Sequence, residues 1–227
     1  MRKLILLLCF VTAVCLCATA QNDEPRRVRT TFDGPLGPEW VYIQNPVKAK
    51  YSTDGGKLRL TASLSSLNED QRPTFVGRRA EKPVFTAETR LDFDESLNGD
   101  EAGLTVYQAP DAHADLCLRQ GRNSMSVALK LTLKSVNVVL RSVRIPDTVC
   151  SLRVRSDSTM YYFDYSLDGQ KYTTLDKIDC VLLKPSFTGG SDEAVWPLLG
   201  MYATLNRDYL GHGWTYAYFD YFEYVEH

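Results

Sequence analysis

Residues 160–175, MYYFDYSLDGQKYTTL, constrain the fold more than any other stretch of the sequence. Two runs rich in aromatic and β-branched residues flank Asp168-Gly169, and Asp-Gly favours the positive φ angles of a tight hairpin turn. Similar strand-like runs, separated by turn residues, recur on either side. The pattern predicts an assembly of β-hairpins and argues against a helical or βαβ enzyme.

The remaining strand-like runs indicate one large antiparallel domain. None of the segments has a 3.6-residue apolar period, and there is no repeat of fixed length. About ten short strands with turns between them predict an all-β fold, an antiparallel two-sheet β-sandwich. Besides the hairpin, the predicted strands cover residues 57–62, 85–93, 102–107, 114–118, 126–133, 135–143, 149–155, 198–204 and 216–225.

The first twenty of the 227 residues have the form of a signal peptide. Arg2-Lys3 precede an apolar run, and Ala18-Thr19-Ala20 supplies the small-x-small pattern before a cleavage site. The run is short for a membrane span, which needs roughly 20 apolar residues. The residues before Cys15 and Cys17 do not fit a lipoprotein signal. We predict a signal peptide at 1–20, a flexible leader at 21–30, a sandwich at 31–227, and a secreted (periplasmic or extracellular) protein without a transmembrane anchor.

Charge and cysteine content exclude several functions. Without residues 1–20, 24 Lys and Arg oppose 28 Asp and Glu, a net charge of −4 without a basic cluster. These values argue against nucleic acid and anionic membrane surfaces as partners. Cys117, Cys150 and Cys180 remain, an odd number, and each lies in an apolar run. We predict buried small hydrophobic residues rather than catalytic thiols.

Four groups of motifs, in this order, resemble the C-terminal concanavalin A-like β-sandwich (a jelly roll) of family 43 β-xylosidases and arabinofuranosidases. The resemblance covers essentially the whole predicted mature chain. The motifs are FDGPLGPEW at 32–40 with Asn45-Pro46; PTFVGRR at 73–79 leading to AETRLDF at 87–93 and GDEAGL at 99–104; FDYSLDG at 163–169; and GMYA at 200–203 with FDYFEY at 219–224.

The resemblance implies an accessory role. In that family the catalytic carboxylates lie on a five-bladed propeller, and the sandwich packs on it and sends a loop to the edge of the sugar pocket. Residues 73–79 resemble that loop, and Phe75 matches its aromatic position, so Phe75 is expected to line a sugar subsite. Such a role needs either a separate glycosidase subunit or a surface that binds polysaccharide independently.

Carboxylates are the first class of candidate, because a glycosidase needs two of them on opposite sides of the scissile bond. A laminarinase-type sandwich carries Glu-x-Asp-x-x-Glu on one strand, and Glu88, Asp92 and Asp94 do not fit that spacing. Most acidic residues are solvated. Glu101 is the carboxylate of greatest interest, with Asp100 as its possible partner.

Aromatic and arginine side chains are the second class of candidate, since sugars stack on aromatic rings and are oriented by polar groups. Trp40 and Tyr202 suit the core, whereas Trp196, Tyr209 and Trp214 lie in or beside loops. Arg78 or Arg79 could bind hydroxyls, but only one can share a face with Phe75. The predicted ligand-binding residues are Phe75, Arg78, Glu101, Tyr107, Tyr209 and Trp214.

Metal chemistry has little support in the sequence. His113 and His212 have no partner at metal-ligand spacing. We expect no cofactor, although Asp33 and Asp220 could hold a structural Ca²⁺ if the terminal strands pair.

Three functions stay open. The first is a non-catalytic module that binds xylan or arabinoxylan, alone or beside a glycosidase. The second is a glycoside hydrolase with Glu101 and Asp100 in a sheet cleft. The third is a structural surface protein.

Overall fold

The computed structural model describes residues 24–69, 71–93, 96–188, 196–206 and 213–227. The predicted signal peptide lies outside these residues. Fourteen strands in the described part form two antiparallel sheets packed face to face, which confirms the predicted all-β sandwich. No helix of the described residues has the length and apolar character needed to cross a membrane.

One sheet has eight strands in the order β12-β11-β10-β5-β14-β3-β2, and β1 also pairs with β14. Its strands are β1 (Arg27–Thr31), β2 (Tyr51–Asp54), β3 (Lys57–Thr61), β5 (Val84–Asp92), β10 (Val149–Asp157), β11 (Met160–Ser166), β12 (Thr173–Asp179) and β14 (Tyr216–Glu226).

The other sheet has six strands in the order β4-β13-β6-β7-β8-β9. Its strands are β4 (Thr74–Arg79), β6 (Glu101–Ala109), β7 (Ala112–Gln120), β8 (Met125–Leu133), β9 (Val136–Ile145) and β13 (Leu198–Thr204). The helical elements are short: 3₁₀ turns at Lys48–Lys50 and Cys180–Leu183, and a single α-turn at Pro185–Thr188.

The alternation of side chains along each strand builds the main core. In β5 every second residue is buried, and Phe85, Ala87 and Leu91 point towards the six-stranded sheet. Rows such as Met201–Leu104–Leu116–Leu129 run across β13, β6, β7 and β8 on the facing surface. Trp40 packs against Phe32 and Phe222 in the same core, as expected.

Three sequence-based predictions differ from the structure. Residues 27–30, assigned to a flexible leader, belong to β1, because β1 pairs along β14. The segment that resembles a loop at 73–79 is the edge strand β4, which pairs with β13 over six residues. The Asp168-Gly169 hairpin exists, but six residues connect β11 to β12. Only Gly169 of that dipeptide has a positive φ, and the Asp168 carboxylate closes the loop by accepting from the amides of Gln170 and Lys171.

Strands β4, β6, β7, β8 and β13 of the six-stranded sheet are largely buried on both faces, whereas the edge strand β9 is exposed along nearly its whole length. The outer face of the sheet carries a second apolar cluster, which we call the outer cluster, and the segment before β4 covers it through the antiparallel bridge of Val41 with Gly77. The Tyr51 hydroxyl donates to the Phe75 carbonyl, and burial raises the pKa of Tyr51 to about 12. The outer cluster consists of Ile43, Leu67, Phe75, Tyr107, Cys117, Ala128, Leu198 and Tyr202.

All three predicted mature cysteines are buried and unpaired, as the sequence indicates. Burial raises the pKa of the Cys150 thiol to about 12, and burial likewise raises the pKa values of Cys117 and Cys180. They behave as small core residues rather than reactive thiols.

Gly200 makes room for the Phe75 ring, and its replacement tests the outer cluster. A Cβ added at Gly200 would lie 2.1 Å from Cε2 of Phe75, whereas one added at Gly34 would meet nothing within 4 Å. We expect Gly200→Ala to lower the free energy of unfolding by about 1–3 kcal/mol, as overpacking does. Urea unfolding of both variants is the measurement. Equal midpoints for Gly200→Ala and Gly34→Ala would contradict this packing.

Candidate functional site

The outer face of the six-stranded sheet holds three of the predicted site residues, but its rings are not exposed. Phe75 is completely buried and Tyr107 is 5% exposed; their centroids lie 5.4 Å apart. Tyr107 also stacks on His113 at 5.7 Å. As folded here, Phe75 is a core residue, and it would line a sugar subsite only after the covering segment moved.

Glu101 forms the centre of a buried polar group on this face. Its side chain is 2% exposed, and its Oε1 lies 2.5 Å from the Lys130 Nζ. The Tyr202 hydroxyl donates to the same oxygen at 3.4 Å. Burial is the largest single influence on the pKa of Lys130 and would lower it, but Glu101, with smaller contributions from Cys117 and Asp115, outweighs burial, and the pKa is raised. The two side chains thus form a buried ion pair.

A second pair lies on β7 of the same face. His113 Nδ1 lies 2.9 Å and 3.1 Å from the two carboxylate oxygens of Asp115, and both side chains are buried. Burial is the largest single influence on the pKa of Asp115 and would raise it, but His113, Lys130 and a hydrogen bond from Thr105 together outweigh burial, so the pKa is lowered. We call Glu101, Lys130, His113 and Asp115 the polar cluster. Glu101 Oε2, His113 Nε2 and the Thr132 hydroxyl have no hydrogen-bond partner in the described part of the chain.

Asp100 and Glu101 do not face one another. The Asp100 carboxylate accepts from the Thr215 hydroxyl at 2.5 Å and from the Leu97 amide at 3.0 Å. Glu101 turns to Lys130 on the outer face. Neighbouring side chains of an extended chain point in opposite directions, so these two carboxylates do not flank a common cleft.

Because side chains alternate along β4, Arg79 rather than Arg78 lies on the same face as Phe75. Arg78 pairs with Leu199, which points into the main core, whereas Arg79 pairs with Leu198 of the outer cluster. Arg79 donates to the Trp196 carbonyl at 2.6 Å. The predicted Arg78 therefore lies on the other side of β4 from the predicted Phe75.

The two loop tryptophans lie at opposite ends of the sandwich. Trp196 precedes β13 and is 37% exposed, and Trp214 precedes β14 beside the far end of β13 and is 54% exposed. Trp196 lines a cavity of about 450 Å³. Tyr209 and His212, also considered from the sequence, lie outside the described residues. The six predicted ligand-binding residues therefore do not form a single site.

The terminal strands pair, as the calcium hypothesis requires, but the carboxylates have other partners. Asp220 lies 3.0 Å from the Lys57 amine and 3.7 Å from Arg90, and Asp33 accepts from the Thr31 hydroxyl at 2.6 Å. Within the described ranges, no group of three or more His, Cys, Asp or Glu residues could hold a metal ion. Two cations already neutralise Asp220, so its surroundings do not fit a Ca²⁺ site.

Sequence reasoning missed Lys130 and Asp115. Each is a charged residue that points to the outer face of its strand, between apolar neighbours that point to the main core. Asp115 lies between Ala114 and Leu116, and Lys130 lies between Leu129 and Leu131. A solvated outer face would also produce this pattern. The informative feature, burial of the outer face, depends on the covering segment and is not visible in the strands themselves.

Residues 29–225 match the family described as the β-xylosidase C-terminal concanavalin A-like domain. The chain belongs to this family. Its two-sheet architecture and the order of its motifs agree with that membership, which confirms the resemblance seen in the sequence.

Individual relatives of this family member are longer enzymes. A non-reducing end α-L-arabinofuranosidase of Bacteroides ovatus is 32% identical over 60% of this chain and 27% of its own length. A putative β-xylosidase of Escherichia coli is 28% identical over 91% of this chain and 37% of its own length. The solved structure of the GH43 BlXynB protein from Bacillus licheniformis superposes with a TM-score of 0.80 at 21% identity, over 88% of this chain and 39% of that one. The xylosidase-type sandwich thus spans less than two fifths of these relatives.

The Lys130–Glu101 pair can be tested by a double-mutant cycle. Lys130→Met leaves an unpaired buried carboxylate and should cost about 3–5 kcal/mol of unfolding free energy. Adding Glu101→Gln should restore most of it, because the charge is then gone. Exposed Lys171→Met is the control and should change little. Additive losses in the double variant would show that the two groups are not coupled.

Asp115 should make stability depend on pH in the acid range. Its folded pKa lies below the unfolded value of 3.8, so its contribution is complete above about pH 4 and is lost as pH falls further. Asp115→Asn should lower the unfolding free energy at pH 7 by about 1–3 kcal/mol. The difference from wild type should shrink towards pH 3, unlike that of exposed Asp147→Asn. A difference that stays constant with pH would contradict the assignment.

Proposed function

We propose that this chain is an exported, non-catalytic, carbohydrate-associated module that recognises xylan or arabinoxylan. It acts as a binding module in its own right or as an accessory to a family 43-type glycosidase. The proposal includes removal of the signal peptide near Ala20 and a neutral polysaccharide as partner.

Family membership supports the substrate class. The relatives are named as an α-L-arabinofuranosidase, a putative β-xylosidase and a xylan 1,3-β-xylosidase. All three names concern glycans built from arabinose or xylose. The matched part is the C-terminal sandwich of the family. A module that binds the same glycans, or assists an enzyme that acts on them, is the simplest function consistent with these names.

The observation that carries the non-catalytic part is the pairing of Glu101. A general acid or nucleophile must reach the glycosidic bond, and two carboxyl groups must lie about 5–9.5 Å apart across it. Glu101 is buried and neutralised by Lys130, and Asp100 is bound to Thr215. The other carboxylate of the polar cluster, Asp115, is bound to His113. These contacts suit structural ion pairs better than an acid/base pair.

Binding and hydrolysis can be measured on the same purified protein. We expect xylan or arabinoxylan in the gel to retard it in affinity electrophoresis, because a polymer that binds slows migration. A β-glucan and a protein of similar size that binds no glycan are the controls. We expect no release of product from aryl-xyloside or aryl-arabinofuranoside.

Two outcomes would replace the proposal. Hydrolysis that is abolished by Glu101→Gln, in a variant that remains folded, would establish the glycosidase alternative. Migration unaffected by every polysaccharide would remove the binding function and favour the structural alternative.

A further inference from the structure

The cavity beside Trp196 lies at one end of the sandwich and is lined by residues from strands of both sheets. The first residues of β5 and β11, the last residues of β6 and β10, and the 180–186 segment surround it. Its volume of about 450 Å³ falls within the range of small-ligand pockets. Its floor is apolar and buried, and it is formed by Phe85, Tyr161, Cys180 and Leu183.

The rim of the cavity is polar. Gln108 is half-buried, Ser158, Lys184 and Ser186 are exposed, and none of these four side chains makes a hydrogen bond within the described ranges. Their donors and acceptors are available to a ligand. The described lining contains no carboxylate, so the cavity has no candidate acid or base for glycoside hydrolysis.

The Trp196 indole forms one wall of the cavity, and hydrogen bonds fix the backbone of this segment. The Trp196 carbonyl accepts from the Arg79 guanidinium at 2.6 Å, and the next carbonyl, of Pro197, accepts from the Ala80 amide at 3.0 Å. Pro197 itself has a restricted φ. A ring that is 37% exposed on a fixed backbone loses little conformational entropy when a ligand stacks on it.

We infer that this cavity is a saccharide site that takes a short xylo-oligosaccharide, with one pentopyranose ring stacked on Trp196. The inference rests on the proposed function and specifies where on the sandwich it is carried out. The C–H face of the sugar covers the indole, and the ring hydroxyls reach Gln108 and the serines at the rim.

The apolar floor selects a pentose over a hexose. A hexopyranose carries an exocyclic hydroxymethyl group, and burying that hydroxyl without a partner is costly. A xylose ring has no such group. The expected order of affinity is therefore xylo-oligosaccharides above cello-oligosaccharides of equal length.

The chain provides a matched control, because Trp214 is more exposed and lies at the other end of the sandwich. Calorimetric titration with xylotetraose should show at least a tenfold weaker affinity for Trp196→Ala and a several-fold weaker one for Gln108→Ala. Trp214→Ala should match the wild type. Cellotetraose should bind at least tenfold more weakly than xylotetraose.

Fluorescence gives an independent readout with conservative replacement of the exposed Trp214. In Trp214→Phe the two remaining tryptophans are Trp196 and the buried Trp40. Xylotetraose should change the emission of this variant, and further replacement of Trp196 by Phe should remove the change.

Failures of the two proposals can be told apart. Retardation by xylan that persists unchanged in Trp196→Ala, or is lost in Trp214→Ala, overturns the cavity assignment and leaves the proposed function standing. Equal affinity for cellotetraose, or binding of an apolar dye but no sugar, also overturns the assignment. Absence of polysaccharide binding by the wild type overturns both.

Discussion

Burial of β4, β6, β7, β8 and β13 on both faces of the six-stranded sheet is the constraint on which the rest of this structure depends. One face packs against the eight-stranded sheet, and the other lies under the segment that reaches β4 through Val41. A charged side chain on the outer face therefore cannot rely on water and must find a partner in the protein. The Lys130–Glu101 and His113–Asp115 pairs meet that requirement.

This constraint separates the molecule into two chemically different regions. On the outer sheet face, the ionisable groups form pairs with one another, and aromatic side chains such as Phe75 pack in the outer cluster. At the end of the sandwich that holds the cavity, the polar side chains of the rim make no hydrogen bonds among the described residues, and the Trp196 ring is accessible. The cavity end of the sandwich is thus better suited to a ligand than the outer sheet face, which holds the candidate residues Phe75 and Glu101.

Periodicity in the sequence was sufficient to predict the sheets but not their surroundings. Runs such as 85–93 and 126–133 alternate clearly, and both are strands close to the predicted limits. β1, β2 and β4 are short edge segments whose strand character depends on a neighbour. The sequence drew attention to Glu101 as a candidate site carboxylate, but its Lys130 partner is on another strand, and a diagonal side-chain contact leaves no trace in spacing. The cavity joins residues more than 100 positions apart, from Pro83 to Pro197, so only the folded chain reveals it.

The three unpaired cysteines have a practical consequence for the export that we propose. Disulfide exchange proceeds through the thiolate, and a thiol with a pKa of about 12, such as that of Cys150, is almost entirely protonated at neutral pH. Each sulfur is also shielded from solvent. An oxidising compartment would therefore leave these side chains reduced, and an odd number of thiols would not cross-link one molecule to another while the sandwich stays folded.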